Sequence, residues 1–405
     1  MDFADALFLA TSCVCVTGLT TVNVAADISR TGQWAMMFFV QLGALGIILC
    51  SSSLFLIFGG RLRLRARKMI QESLPGISLT SVVLLTRYIV IFVLASELIG
   101  AMILACVWVP EHGWNQGLFH AIFHSVGSLC GSGFSTFNNG LVDYAGNVTV
   151  NLTVMALIVI GGLGFLVLAD IFAVAKEKRG IKHLSTHSKM VLQTSLVLIV
   201  LGAAAFAFFE RSNPEVMGHG FMRGIMTSFF QSVTCRSGGY NTVSIDALQE
   251  ETQQMMMLLM FIGGGPGSTA GGIKVTSFVL IIMAAISQLR GFRDIEVGTR
   301  RVPWTKTLQA LALTVTAVLC VIIVCVLLNF FEQEFYSRLL FEGVSALGTV
   351  GLSTGVTPEL STPSKLILCV SMFIGRVGPL TLASSLASGP KAKATRKPEC
   401  DIIIG

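Results

Sequence analysis

Four short segments of this chain share one pattern: a glycine, a bulky residue that is apolar or aromatic, then Ser, Thr or Asn. They read Val16-Thr17-Gly18-Leu19-Thr20, Gly131-Ser132-Gly133-Phe134-Ser135, Ser237-Gly238-Gly239-Tyr240-Asn241 and Thr349-Val350-Gly351-Leu352-Ser353. Such residues suit the handling of a dehydrated cation. A ring of backbone carbonyls replaces the hydration shell without a buried carboxylate, which would hold the ion too tightly to release it. Glycine permits this because it adopts left-handed dihedrals and lets neighbouring loops approach closely. The adjacent hydroxyl and amide side chains can satisfy other backbone groups, as non-helical backbone at membrane depth requires. The expected ion-binding residues are therefore Gly18, Gly133, Gly239 and Gly351, with Thr17, Ser132, Gly238 and Val350 before them. No carboxylate lies within any of the four motifs.

The elements that position these loops repeat as well. Phe8, Phe123, Phe229 and Phe341 each stand ten residues before their glycine, a spacing that suits a short helix anchored by a ring. A second glycine cluster follows each motif by 25, 28, 24 and 24 residues: Gly43 to Gly46, Gly161 to Gly164, Gly263 to Gly267 and Gly375 to Gly378. Small residues at such positions let helices pack closely in a membrane. The motif glycines are separated by 115, 106 and 112 residues. The sequence thus predicts an all-α membrane protein of four parallel pseudo-repeats, each a helix, a re-entrant pore helix, a filter loop and a second helix, around a central pore. Their expected limits are 1–70 (without an outer helix), 71–185, 186–300 and 301–390, with a tail at 391–405.

Composition supports this class. Apolar residues make up 53% of the chain and charged residues only 12%. A helix crosses a hydrocarbon core in about 20 residues, and seven apolar stretches suffice, near 34–58, 82–108, 148–175, 190–209, 253–289, 305–331 and 364–386. Pieces near 4–15, 117–130, 221–235 and 337–348 are too short and read as re-entrant. Most of the 28 Lys and Arg residues fall in four clusters, at 61–87, 176–189, 290–306 and 391–397. The positive-inside rule places these, and hence the C-terminus, in the cytoplasm. That placement makes a nucleic-acid partner unnecessary to explain the net charge of +6. The ten cysteines show no metal-ligand spacing and read as small apolar fillers. No cleavable leader is evident in residues 1–20.

The chain resembles the Trk/Ktr/HKT superfamily of potassium transporters, and most closely its Ktr membrane subunits. The resemblance rests on FADALFLATSCVCVTGLT from Phe3, SVTCRSGGYNTV from Ser232, FIGGGPGSTAGGIK from Phe261, GTVGLSTG from Gly348, FIGRVGPLTL from Phe373 and the ending ECDIIIG. It implies potassium bound at the four filter glycines. Members with serine in the first filter tend toward sodium, so Gly18 argues for potassium. It also implies that Gly263, Gly264, Gly265, Pro266, Gly267, Ser268, Thr269, Ala270, Gly271 and Gly272 form an intramembrane gate. The residues agree, since this Gly/Pro run cannot sustain a helix and is tolerated only facing water or protein. Arg376, costly in a membrane, is expected to face the cavity as a barrier to cations or a clasp on the gate. Arg236 and Lys274 lie beside filter and gate, where snorkelling or capping would explain them equally well.

Further implications are a homodimer in the cell membrane, a cytosolic nucleotide-binding regulatory ring, surrounding lipid, sodium as activator and no cofactor. The family has eight spans, whereas this sequence opens at a pore helix; an upstream outer helix, roughly 40 residues with its flanks, is expected. A coupled carrier would show inverted halves or mid-membrane acids. An enzyme would need clustered bases, yet only Glu97 and Asp170 lie within or near spans.

Overall fold

The computed structural model describes residues 1–58, 79–178, 180–217, 220–292, 294–297 and 300–378. The basic residues 61–68, Arg179, Arg293, the last part of the 364–386 stretch and the whole tail lie outside these.

The chain is mostly helical. In order come α1 (Phe3–Cys15), α2 (Arg30–Phe58), α3 (Leu79–Cys130), α4 (Val148–Leu163), α5 (Phe165–Lys176), α6 (Thr186–Phe209) and α7 (Phe221–Thr234). They are followed by α8 (Glu250–Phe261), α9 (Val275–Leu289), a small antiparallel hairpin of β1 (Ile295–Val297) and β2 (Arg300–Val302), α10 (Trp304–Phe331), α11 (Tyr336–Gly348) and α12 (Thr362–Val377).

Among the described residues three helices are long and apolar enough to cross a membrane: the segment 87–130 of α3, α6 with its continuation to Ser212, and α10. The pair α4 and α5 makes a fourth if its 99° bend is counted within one span. The stretch at 253–289 is interrupted where its glycines lie; residues 262–274 divide it into α8 and α9. Bends elsewhere also fall at glycine. Gly113 (φ 79°, ψ 167°) separates the long first part of α3 from its last 17 residues, which form the short helix expected near 117–130.

The apolar residues face both ways. Helix α10 buries Val321, Val324, Cys325 and Leu328 while exposing Leu319, Ile322, Ile323 and Val326. Such an apolar exterior is what a hydrocarbon solvent calls for, and it makes this a membrane protein in structure as in composition.

Among the described residues, four of the apolar clusters each join one short helix to the next. One joins Leu9, Cys13 and Val16 to Phe123, Cys130 and Phe134. A second joins Leu104, Trp108 and Ala121 to Phe230, Val233 and Tyr240. A third joins Cys235 and Met260 to Phe341, Leu347 and Val350. The fourth closes the circuit, from Leu339, Ala346 and Met372 back to Phe8, Cys15 and Leu19. Each short helix is thus wedged between two others, which fixes the loops at their ends.

Candidate functional site

Helices α1, α3 and α11 end where their glycine motifs begin and α7 ends two residues short of its own, so four helix C-termini, the negative ends of their dipoles, meet at one place. The chain turns in the same manner in each loop. The residue two before the motif glycine is left-handed, at Val16 (φ 56°), Gly131 (φ 76°), Ser237 (φ 65°) and Thr349 (φ 48°), and the glycine has positive φ again, at Gly18 (99°), Gly133 (68°), Gly239 (74°) and Gly351 (94°). A β-branched residue in this region is strained by about 1–2 kcal/mol, so Val16 and Thr349 are held there by their surroundings.

The four glycines touch in a closed ring. A side-chain carbon added to Gly18 would overlap the carbonyl oxygen of Ser132, and one on Gly133 would lie 2.5 Å from the Gly239 Cα. One on Gly239 would lie 2.5 Å from the Val350 oxygen, and one on Gly351 would overlap the Thr17 oxygen. Every residue expected at the filter is therefore in or next to this ring, and three of the preceding carbonyl oxygens border it. Backbone oxygens gathered this closely can replace water around a small cation.

Three loops share further hydrogen bonds. The N–H groups of Thr17, Ser132 and Val350 donate to the carbonyls of Ser12, Gly127 and Ser345, each at 2.9 Å. The hydroxyls of Ser12 and Ser345 also accept from the Gly18 and Gly351 N–H groups, at 3.1 and 3.2 Å. The third loop differs. Cys235 and Arg236 intervene between the end of α7 and the left-handed Ser237, and the Gly238 N–H bonds to Thr234 instead. This changes which phenylalanine anchors the helix: Phe8, Phe123 and Phe341 are buried, but Phe229 is 39% exposed and Phe230 takes the interior place. Counting ten back from the glycine fails there because the turn bond spans four residues, from the Gly238 N–H to the Thr234 carbonyl, where the other loops span five, which brings the buried ring one residue closer to its glycine.

The second glycine clusters serve two purposes. Gly43, Gly161 and Gly375 pack so closely on the ends of the short helices that an added carbon would overlap the carbonyls of Val14, Leu129 and Leu347. A few residues later the chain breaks direction at Gly46 (φ 60°), Gly164 (φ 95°), Gly267 (φ 68°) and Gly378 (φ 91°).

The 263–272 segment is an ordered loop beneath the ring. Its Gly265 and Thr269 N–H groups donate to the carbonyls of Gly162 (2.8 Å) and Gly161 (3.2 Å), and its Gly267 carbonyl accepts from Phe165 (3.0 Å). The loop thus sits in the break between α4 and α5. Thr269 Oγ1 reaches the Leu129 carbonyl (3.3 Å), and Gly271 lies against Thr349.

Three basic side chains grip the loop's carbonyl oxygens. Arg376 donates to Thr269 and also to Gly43, Lys274 Nζ to Ala270 at 2.6 Å, and Arg236, itself buried, to Gly263 at 3.4 Å. Arg236 also bonds Ser195. Snorkelling and simple capping do not describe Arg236 and Lys274; both tether the loop. Arg376, Lys274 and Ser268 border a cavity of about 430 Å³ together with Cys15 and Gly43. Sequence reasoning also passed over His124, Glu342, Ser12 and Ser345. The signal was present, as polar residues at fixed offsets before the motif glycines.

Comparison with known proteins gives one consistent relationship. Residues 1–396 match the family described as TrkH, cation transport protein. Over its whole length the chain is 36% identical to Ktr system potassium uptake protein B of Bacillus subtilis, covering 90% of that protein. It is also 36% identical to the potassium/sodium uptake protein NtpJ of Enterococcus hirae, again covering 90%. The crystal structure of the potassium transporter TrkH from Vibrio parahaemolyticus superposes with a TM-score of 0.75 at 18% identity, over 96% of this chain and 79% of that one, and so shares its fold. The chain belongs to the TrkH family of cation transport proteins.

Proposed function

We propose that this chain is a potassium uptake pore of the cell membrane, passing the ion down its electrochemical gradient through a filter made by Gly18, Gly133, Gly239 and Gly351 with Thr17, Ser132, Gly238 and Val350. The observation that carries this reading is the closed contact ring of the four positive-φ glycines. The name of the Bacillus subtilis relative, a potassium uptake protein, supports the choice of ion, whereas that of the Enterococcus hirae relative includes sodium beside potassium. In this reading four parallel pseudo-repeats surround the pore, limited at 70, 185, 300 and 390, with seven spans in the chain and the tail in the cytoplasm. The 263–272 loop is the gate. Arg376, Lys274 and Arg236 latch it closed by occupying its carbonyls, and the Arg376 charge opposes cations in the cavity. A homodimer, a cytosolic nucleotide-binding ring acting on the gate, bound lipid and activation by sodium complete the proposal. The chain acts as a pore, not as an enzyme, as its transporter relatives suggest.

The test is ion flux in liposomes containing the purified chain. Potassium entry that exceeds sodium entry, and falls when Gly18 is replaced, is the expected result. Equal flux of both ions, or none above empty liposomes in folded protein, would overturn it.

A further inference from the structure

The four loops are alike in backbone but not in what stands behind them. The residue after the buried phenylalanine is Leu9, His124, Gln231 and Glu342 in the four loops. Loop one is backed by hydrocarbon, whereas Gln231 Nε2 of loop three lies 3.5 Å from Thr242 Oγ1, and in loops two and four the polar group reaches across to the hydroxyl two residues after the glycine. His124 Nε2 is 3.0 Å from Ser135 Oγ, its Nδ1 being bonded to the His120 carbonyl (2.8 Å). Glu342 Oε1 accepts from Ser353 Oγ at 2.7 Å.

Glu342 does much more than its counterpart. It is fully buried. Its Oε1 also accepts the Thr354 N–H (2.9 Å) and hydroxyl (3.2 Å), and its Oε2 accepts the Thr357 hydroxyl (2.6 Å). Ser353 Oγ in turn receives the Gly355 N–H at 2.9 Å. Four donors converge on one carboxyl and use both of its oxygens as acceptors. None of these partners is a cation, so the group acts through hydrogen bonds alone.

We infer that Glu342 is a specificity-determining positioning residue: its carboxyl ties down residues 353–357 so that the Gly351 backbone keeps its place in the ring. The inference rests on the filter reading above. It adds that selectivity is set unequally, with loop four the most firmly held.

The test uses the full chain in liposomes, with potassium and sodium fluxes measured as a function of concentration per folded protein. Glu342→Gln keeps the volume but turns an amide donor toward donors. It is expected to raise the apparent KM for potassium about tenfold, the effect of about 1.4 kcal/mol, and to raise the sodium-to-potassium ratio several-fold. Glu342→Asp, which keeps both acceptor oxygens, should recover part of both. A merely structural role would lower the amount of folded protein and leave KM and the ratio unchanged in what remains, which would overturn the inference. If Glu342→Gln does not fold, the pair Ser353→Ala and Thr357→Val removes two donors and keeps the carboxyl. It must then raise the sodium-to-potassium ratio, and an unchanged ratio overturns the inference equally. Gly18→Ser is measured alongside. A shift there with none from Glu342 defeats only this inference, whereas no shift from either defeats the filter reading itself.

Discussion

The Arg376 guanidinium on α12 donates to the carbonyl oxygen of Thr269, in the loop that interrupts the chain between α8 and α9. The two residues are 107 apart in sequence, and their bond ties the end of the last helix to the underside of the glycine ring. A charge-assisted hydrogen bond of this kind contributes about 1.5–3 kcal/mol. Arg376→Gln should therefore shift the loop toward an open position and raise basal potassium flux, by roughly 10- to 100-fold if the loop alone limits conduction. Radioactive potassium uptake into liposomes measures this. Flux that stays the same in folded protein would mean that the bond is structural only.

Shortening the loop between Gly263 and Gly272 should likewise raise flux while leaving the preference between potassium and sodium unaltered. The reason is spatial, since the filter backbone and the loop are separate layers joined by contacts such as Gly271 against Thr349. A packing hinge would behave otherwise. Its deletion would lower flux and destabilise the fold, and a parallel change in selectivity would also count against the gate.

Gly18→Ser should admit more sodium relative to potassium. The added carbon overlaps the Ser132 oxygen and is placed on backbone with φ of 99°, so loop two must yield or loop one must turn. Bi-ionic flux ratios test this, with no change removing Gly18 from the filter.

Gly164→Ala addresses the bend between α4 and α5. Its φ is 95°, and the new carbon would lie 2.5 Å from the Pro266 oxygen. Strain of about 1–3 kcal/mol is expected, lowering the thermal unfolding midpoint in detergent and loosening the loop that Gly164 faces. A midpoint equal to that of the parent chain would show that the bend is soft.

Much of this arrangement was legible in the sequence because it depends on glycine. The four motif glycines and their followers are few, regularly placed and needed for one reason, close approach of backbones. The break in the chain at 263–272 was legible for the same cause. What could not be read was phase. Phe229 and Phe230 are adjacent, and which of them is buried follows from a turn one residue shorter than in the other loops. Glu342 and His124 were overlooked because an acid or imidazole in a short semi-apolar helix looks like its solvated face, until the loop is seen to fold back over it. The tethers from Arg236 and Lys274 were equally hidden, since their partners are backbone oxygens that carry no sequence signal.

The ring of glycines comes from one polypeptide, and this has a consequence for inheritance. In a pore assembled from identical subunits a single codon change alters every position around the axis at once, and most such changes are lost. Here a change reaches one quadrant. The contact ring restricts drift at the glycines themselves, because each leaves room for its neighbour, but it leaves the residues behind each loop free to diverge one at a time. Leu9, His124, Gln231 and Glu342 follow the buried phenylalanine in the four loops and have four different chemistries. Natural variation across this family is expected to accumulate in that backing layer, quadrant by quadrant, more freely than at the ring.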